Sequence, residues 1–189
     1  MKLTAVLFTG GSSRRMGADK AGLIFAGEPL WSKQLRLLRE LRPDALWISA
    51  RSRPAWCPPE IEVVLDAPPS RGPLSGLSAA LSRLQTSHLL VLAVDLPQMT
   101  SAHLRQLWSL AKPRCGVLPM AGDFFEPLCA IYPAAAASAA KDALTSDDLS
   151  LHSLAQTLVR QKHAQIYPLS ESERLVYHNV NTPDDLPKH

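Results

Sequence analysis

The feature that most constrains this chain is an alternation between short apolar runs and amphipathic segments that persists along nearly its whole length. Thr4–Thr9, Ala45–Ala50, Ile61–Leu65 and Leu89–Val94 are compact apolar or β-branched runs of strand length. Between them, Pro29–Leu41 carries Leu30, Leu35, Leu38 and Leu41 at helical spacing, and Leu74–Leu84 carries Leu74, Leu77, Leu81 and Leu84 on one stripe. A strand buried on both faces shows a continuous apolar run, whereas a helix packed on a sheet shows a 3.6-residue period. Repeated β-then-α order predicts a single α/β domain over residues 1–189, a mostly parallel, Rossmann-like sheet with helices on both faces. No internal repeat or linker interrupts it. The proline-rich stretch Arg53–Glu60 reads as a stiff loop between strands.

The second half continues the pattern. Thr100 or Ser101 caps a helix carrying Leu104, Leu107, Trp108 and Ala111. Cys115–Leu118 and Leu128–Tyr132 are strand-like, and Pro133 is expected to open an alanine-rich helix to about Leu144. Asp147, Asp148 or Ser150 caps a further helix to about Val159. Ala164–Tyr167 and Tyr177–Val180 are short strand candidates, and Thr182-Pro183-Asp184-Asp185 reads as the start of a last helix.

The formal charge of +3 is small and its carriers are scattered, which argues against a nucleic-acid partner. Three cysteines, far apart and without a CxxC pair, indicate neither a disulfide framework nor a zinc site. Six histidines show no metal-ligand pairing. Tyr132, Trp31, Trp47, Trp56 and Trp108 read as core residues. No apolar stretch approaches the roughly 20 residues of a membrane span. The N-terminal apolar run is too short for a secretory signal. A soluble cytoplasmic protein without a membrane partner is expected.

In an open α/β sheet, ligands bind beyond the carboxyl ends of the strands. The first strand runs straight into Gly10-Gly11-Ser12-Ser13-Arg14-Arg15-Met16-Gly17-Ala18-Asp19-Lys20. Paired glycines let backbone N–H groups approach an anion, Ser12 and Ser13 add hydroxyl donors, and Arg14, Arg15 and Lys20 supply charge for a phosphorylated small molecule. The spacing matches neither GxGxxG nor the P-loop. On residue types alone the segment reads equally as a phosphate cradle or as a polar glycine turn with solvated arginines.

Five motifs in order resemble the molybdenum cofactor guanylyltransferase family. They are Phe8-Thr9-Gly10-Gly11 with Arg15-Met16 and Asp19-Lys20; Gly72-Pro73-Leu74-Ser75-Gly76-Leu77; Asp95-Leu96-Pro97; Glu126-Pro127-Leu128-Cys129-Ala130-Ile131-Tyr132; and Asn179-Val180-Asn181-Thr182-Pro183-Asp184-Asp185-Leu186. The resemblance spans essentially the whole chain. It implies a GT-A-like nucleotidyltransferase fold and Mg²⁺-dependent transfer of GMP from GTP to the phosphate of molybdopterin, with release of pyrophosphate.

The resemblance also implies residue roles. Asp95 is the Mg²⁺ ligand at the end of its apolar strand, as the chemistry of a hard cation suits. Lys20 and Arg15 hold the triphosphate. Phe8, Thr9, Gly10, Gly11, Ser12, Ser49, Asp66, Gly72 and Gly76 join Lys20 and Asp95 around the nucleotide, and Asn179 and Asn181 bind the acceptor. Plain alternatives stand beside these roles: Asp66 also reads as a turn residue beside Pro68 and Pro69, Gly72 and Gly76 as turn and packing glycines, and Asn179 and Asn181 as turn residues. The sequence departs from the family at two base-contacting places. Thr9 stands in the usual Leu-Ala-Gly-Gly opening, and Ser49 stands where an asparagine is usual. The paired Gly10-Gly11 favours GTP over CTP. A CTP- or UTP-using relative with a pterin or sugar-phosphate acceptor, and a non-catalytic nucleotide-binding relative, are the competing expectations.

Overall fold

The computed structural model describes residues 1–9, 20–66 and 69–180. Their elements, in chain order, begin with β1 (Leu3–Phe8) and a single 3₁₀ turn at Lys20–Gly22. A small hairpin follows, β2 (Ile24–Phe25) and β3 (Glu28–Pro29), then α1 (Leu30–Glu40), β4 (Ala45–Ala50), β5 (Glu62–Leu65), α2 (Pro73–Arg83) and β6 (His88–Ala93). Next come α3 (Ser101–Leu110), β7 (Gly116–Ala121), β8 (Phe124–Phe125), β9 (Cys129–Pro133), α4 (Ala136–Ala143), α5 (Leu151–Arg160), β10 (Ala164–Pro168) and α6 (Glu171–Arg174).

The main sheet has the order β10-β7-β9-β6-β1-β4-β5, with β8 paired to β7. β1 pairs in parallel with both β4 and β6, β4 with β5, and β7 with β10. β9 runs antiparallel between β6 and β7. The mostly parallel sheet expected from the sequence is therefore present, with one reversed strand inside it.

β1 and β6 are buried along their full lengths, which is why they read as unbroken apolar runs. Their side chains alternate between two cores. Ala5 and Leu7 of β1 and Leu90 and Leu92 of β6 pack with Leu30, Leu35 and Leu38 of α1 and Leu104 and Leu107 of α3. Val6, Phe8, Leu89 and Val91 pack with Leu74, Leu77 and Leu81 of α2, Ala136 and Ala140 of α4, and Leu154 and Leu158 of α5. Helices thus cover both faces. Full burial of each large aliphatic side chain contributes about 1.5–3 kcal/mol.

Helix starts follow local chemistry. Thr100 and Ser150 accept from the backbone N–H groups of His103 and His152. Ser170 and Glu173 form a reciprocal capping box on α6. Tyr132 and Trp47 lie in the core as expected. Trp31, Trp56 and Trp108 are half-buried at its margin, with Trp31 stacked on Trp56 at 5.0 Å.

Two expectations need correction, and one feature was not expected. Pro133 does not open a helix. It ends β9, whose ladder reaches His88, and α4 starts at Ala136. Tyr177–Val180 is not a strand. Leu175–Tyr177 is a 3₁₀ turn, and the apolar side chains here act as anchors: Tyr177 is buried against His103, and Val180 N–H donates to the Asp95 carbonyl at 2.9 Å. The β2–β3 hairpin was not foreseen. Its two-residue turn is Ala26-Gly27, both at positive φ, and alanine carries no sequence signal for that conformation. The helix expected from Thr182 onward lies outside the described residues.

Candidate active site

The carboxyl ends of β1, β4, β5 and β6 converge on one edge of the sheet, and the pairing continues one residue past each strand. Thr9 N–H donates to the Ser49 carbonyl at 3.1 Å, Asp66 N–H to the Ala50 carbonyl at 3.2 Å, and Val94 N–H to the Phe8 carbonyl at 2.9 Å. The Thr9 hydroxyl donates to the same Ser49 carbonyl, also at 3.1 Å. Thr9, Ser49, Asp66 and Asp95 are thereby presented by four neighbouring strands.

The first turns of α2 close over part of this edge. Gly72 is the N-cap at φ +73°, a left-handed conformation that favours glycine, and Pro73 occupies the first helical position. Gly76 is required for a different reason. A Cβ there would stand 2.6 Å from Ser49 Oγ, 3.1 Å from Asp66 Oδ1 and 3.1 Å from Phe8 Cε1. Backbone of α2 therefore lies directly against three predicted site residues from three strands. Ser70 donates to Asp66 Oδ2 at 2.9 Å, which orients that carboxylate, and Ser75 Oγ accepts from Arg71 N–H at 2.7 Å.

Beyond β6, Asp95 faces Lys20. Lys20 Nζ lies 3.6 Å from Asp95 Oδ2, and both side chains are about one-quarter exposed (23% and 24%). A partly open pair of this kind is accessible to a ligand and is worth little as a fold-stabilising contact. The hydrogen bond from Val180 N–H to the Asp95 carbonyl brings the exposed Asn179 to the same end of the sheet. The following Leu96 carbonyl accepts from Nε2 of Gln34, a fully buried residue of α1, at 2.6 Å. That bond ties the Asp95-Leu96-Pro97 loop to the helix layer. The role of Gln34 was not read from sequence, because one polar residue on an otherwise apolar stripe looks like a tolerated exception.

Glu126 is a second residue that sequence reasoning missed as an individual. It precedes β9 at this same end, is half-buried, and burial raises its carboxyl above the usual range. Nearby Cys129 is fully enclosed, and burial pushes its thiol up to about 12, so it is not a nucleophile. Tyr177 OH and His103 Nε2 share a 2.8 Å hydrogen bond beneath the site.

Of the residues singled out from sequence, the structure brings together Phe8, Thr9, Ser49, Asp66, Gly72 and Gly76 on one side and Lys20, Asp95 and Asn179 on the other. Gly10, Gly11, Ser12, Arg14, Arg15 and Asn181 lie outside the described residues. Among the described residues no group of three His, Cys, Asp or Glu side chains is placed to hold a metal on its own. Asp95 nonetheless suits Mg²⁺, which takes one or two protein carboxylates and draws its other ligands from phosphate and water.

This arrangement can be compared with known proteins. Residues 5–165 match the MobA-like NTP transferase domain. The chain belongs to the MobA-like NTP transferase family.

Members of the MobA-like family with similar sequences include a probable molybdenum cofactor guanylyltransferase of Opitutus terrae, 36% identical over 97% of this chain and 92% of the relative. A molybdenum cofactor guanylyltransferase of Xanthomonas euvesicatoria is 31% identical over 96% of this chain and 90% of its own. The fold is shared with molybdopterin-guanine dinucleotide biosynthesis protein A of Archaeoglobus fulgidus (TM-score 0.72, 22% identity, 96% and 94% of the two chains). It is also shared with a nucleotidyl transferase from Methanothermobacter (TM-score 0.72, 16% identity, 97% and 94%). The family recognised from the five motifs is the one matched, and this MobA-like chain is an enzyme of the nucleotidyltransferase class. No helix among its described residues is long and apolar enough to cross a membrane.

Proposed function

We propose that this enzyme transfers GMP from GTP to the terminal phosphate of molybdopterin in the cytoplasm, with Mg²⁺, and releases pyrophosphate. The observation that carries the reading is the Lys20–Asp95 pair at the carboxyl edge, a cation and a hard oxygen ligand side by side where four strands end. The names of the similar proteins support the choice of guanylyl group and acceptor.

In the reaction an acceptor phosphate oxygen attacks the α-phosphorus of GTP in line. One P–O bond forms, the α–β bridging P–O bond breaks, and the electron pair leaves on pyrophosphate. The nucleophile is already anionic, so the protein needs no strong base, and catalysis rests on positioning and charge. Lys20 faces the negative charge that grows on the leaving group, joined by Arg15 and the Gly10-Gly11-Ser12 backbone. Thr9, Ser49, Asp66, Phe8 and the glycines Gly72 and Gly76 form the base and ribose side. Asn179 and Asn181 are assigned to binding the acceptor. Asp95 would hold Mg²⁺, which would supply Lewis-acid neutralisation of the phosphates.

A thermal-shift panel of GTP, CTP, UTP and ATP, with and without Mg²⁺, tests this reading. A ligand that binds only the folded state raises the melting temperature by mass action. A selective, Mg²⁺-dependent shift with GTP is expected. Preference for CTP or UTP moves the substrate assignment to another nucleotide. No shift with any nucleotide contradicts the enzyme reading of the site.

A further inference from the structure

Glu126 sits on a turn whose backbone is held at several points. Its N–H donates to the Pro119 carbonyl at 2.8 Å, and its carbonyl accepts from Cys129 N–H at 3.1 Å. Tyr132 OH donates to the Pro127 carbonyl at 2.7 Å, and Ala93 N–H to the Leu128 carbonyl at 2.7 Å. Asp95 lies two residues beyond Ala93, and Glu126 two residues before Leu128. The two acids therefore bracket the same end of the β6–β9 pair. In the sheet order β9-β6-β1-β4-β5, Glu126 stands on the opposite side of Asp95 from Thr9, Ser49 and Asp66.

Its backbone is held, its side chain is half-buried, and among the described residues its carboxylate makes no hydrogen bond or ion pair. Burial raises its proton affinity, and no described donor or cation offsets that. Its own charge is felt by the buried Cys129 thiol and Tyr177 phenol. Taking an acceptor-only group partly out of water without supplying a donor costs stability, and such costs concentrate where a ligand supplies the missing bond. The missing partner is not a phosphate, which a carboxylate repels. Neutral N–H groups of a ligand suit a half-buried carboxylate of this kind.

Resting on the function proposed above, we infer that Glu126 recognises the ring end of the acceptor, accepting paired hydrogen bonds from adjacent N–H and NH₂ groups of an aminopyrimidinone edge. Two parallel donors match two carboxylate oxygens as a guanidinium fork does. A pterin carries that edge at the far end from its phosphate, so one molecule can reach Asp95 with its anion and Glu126 with its ring. Guanine carries the same donors, but its proposed place over β1, β4 and β5 is on the other side of Asp95.

The test compares 6-hydroxymethylpterin with 6-hydroxymethyllumazine, in which a carbonyl replaces the 2-amino group, by fluorescence titration of the full chain with GTP and Mg²⁺ present. Hydrogen bonds to a charged group imply that the wild-type protein prefers the pterin by about 10- to 100-fold. Glu126→Gln is expected to erase that preference while keeping its thermal shift with GTP, which also verifies that the variant is folded. Equal wild-type binding of the two rings overturns the inference without relying on any variant. So does a Glu126→Gln protein that keeps the preference, or one that loses GTP binding and retains the pterin. If wild-type enzyme transfers GMP to molybdopterin yet ignores the ring substitution, this inference alone fails. If it transfers no GMP, the functional reading fails and takes the inference with it.

Discussion

Lys20 Nζ and Asp95 Oδ2 stand 3.6 Å apart at the end of β6, each side chain about three-quarters covered. Under the proposed function, Mg²⁺ would give the carboxylate a stronger partner and a triphosphate would do the same for the ammonium. The pair is therefore a resting arrangement of two groups assigned to one reaction. Asp95→Ala is expected to lower kcat by at least about 100-fold, in line with removal of a single preorganised charge, while leaving the fold intact. Lys20→Ala should lower kcat without abolishing Mg²⁺ binding. Steady-state kinetics with circular dichroism as the control for folding checks both, and near-normal turnover of Asp95→Ala would remove it from the mechanism.

Gly76 meets Ser49 Oγ, Asp66 Oδ1 and Phe8 Cε1 at the place where any other residue would carry its Cβ. Alanine is a better helix former than glycine by about 1 kcal/mol. A 2.6 Å approach to Ser49 Oγ outweighs that gain, since overpacking costs about 1–3 kcal/mol. Gly76→Ala should therefore lower both the melting temperature and GTP affinity. Adding Ser49→Ala removes the closest neighbour and should recover part of the lost stability. A Gly76→Ala protein more stable than wild type would show that the contact is not tight.

Acid should destabilise the fold in two stages. His88 is fully buried, with Nε2 bonded to the Lys112 carbonyl at 3.0 Å and Nδ1 to Ser87 Oγ at 3.0 Å. Burial lowers its proton affinity below the ordinary 6.5, and it does the same for His103, where Glu173 opposes it. Below pH 6.5 the unfolded chain thus binds protons that the native one refuses. Stability is fully present above that value and falls as pH drops, by about 1.4 kcal/mol per unit for each proton. Glu173 acts lower. Hydrogen bonds from Ser170 and then Tyr167 hold its carboxyl down to about 2, so its contribution is present above 4.5 and lost as pH falls toward 2. Melting temperature against pH should decline from about 6.5 downward, and His88→Gln should flatten the upper part of that decline. An unchanged slope in the variant would exclude His88 as its source.

Much of this architecture was legible because β1, β4 and β6 are short apolar runs bounded by polar residues, and α1 and α2 carry clean leucine stripes. Asp95 stands out in the sequence because it ends the most apolar of those runs, and the structure places it at the carboxyl edge of the sheet beside Lys20. Other features depend on tertiary contacts that leave no local trace. Tyr177 and Val180 look like strand residues, but their partners are His103 and the Asp95 carbonyl, far away in sequence. Gln34 matters because the Leu96 carbonyl lies within 2.6 Å of it, and Gly76 because three strands end against it. Glu126 is informative because nothing in the described protein pairs with it, a property no sequence displays.

The most direct measurement follows the label from α-³²P GTP in a reaction containing molybdopterin and Mg²⁺. The account predicts that the label enters a pterin dinucleotide, that unlabelled pyrophosphate forms in equal amount, and that Asp95→Ala slows both by at least about 100-fold. Label remaining in GTP, or pyrophosphate formed without any labelled pterin product, would contradict it.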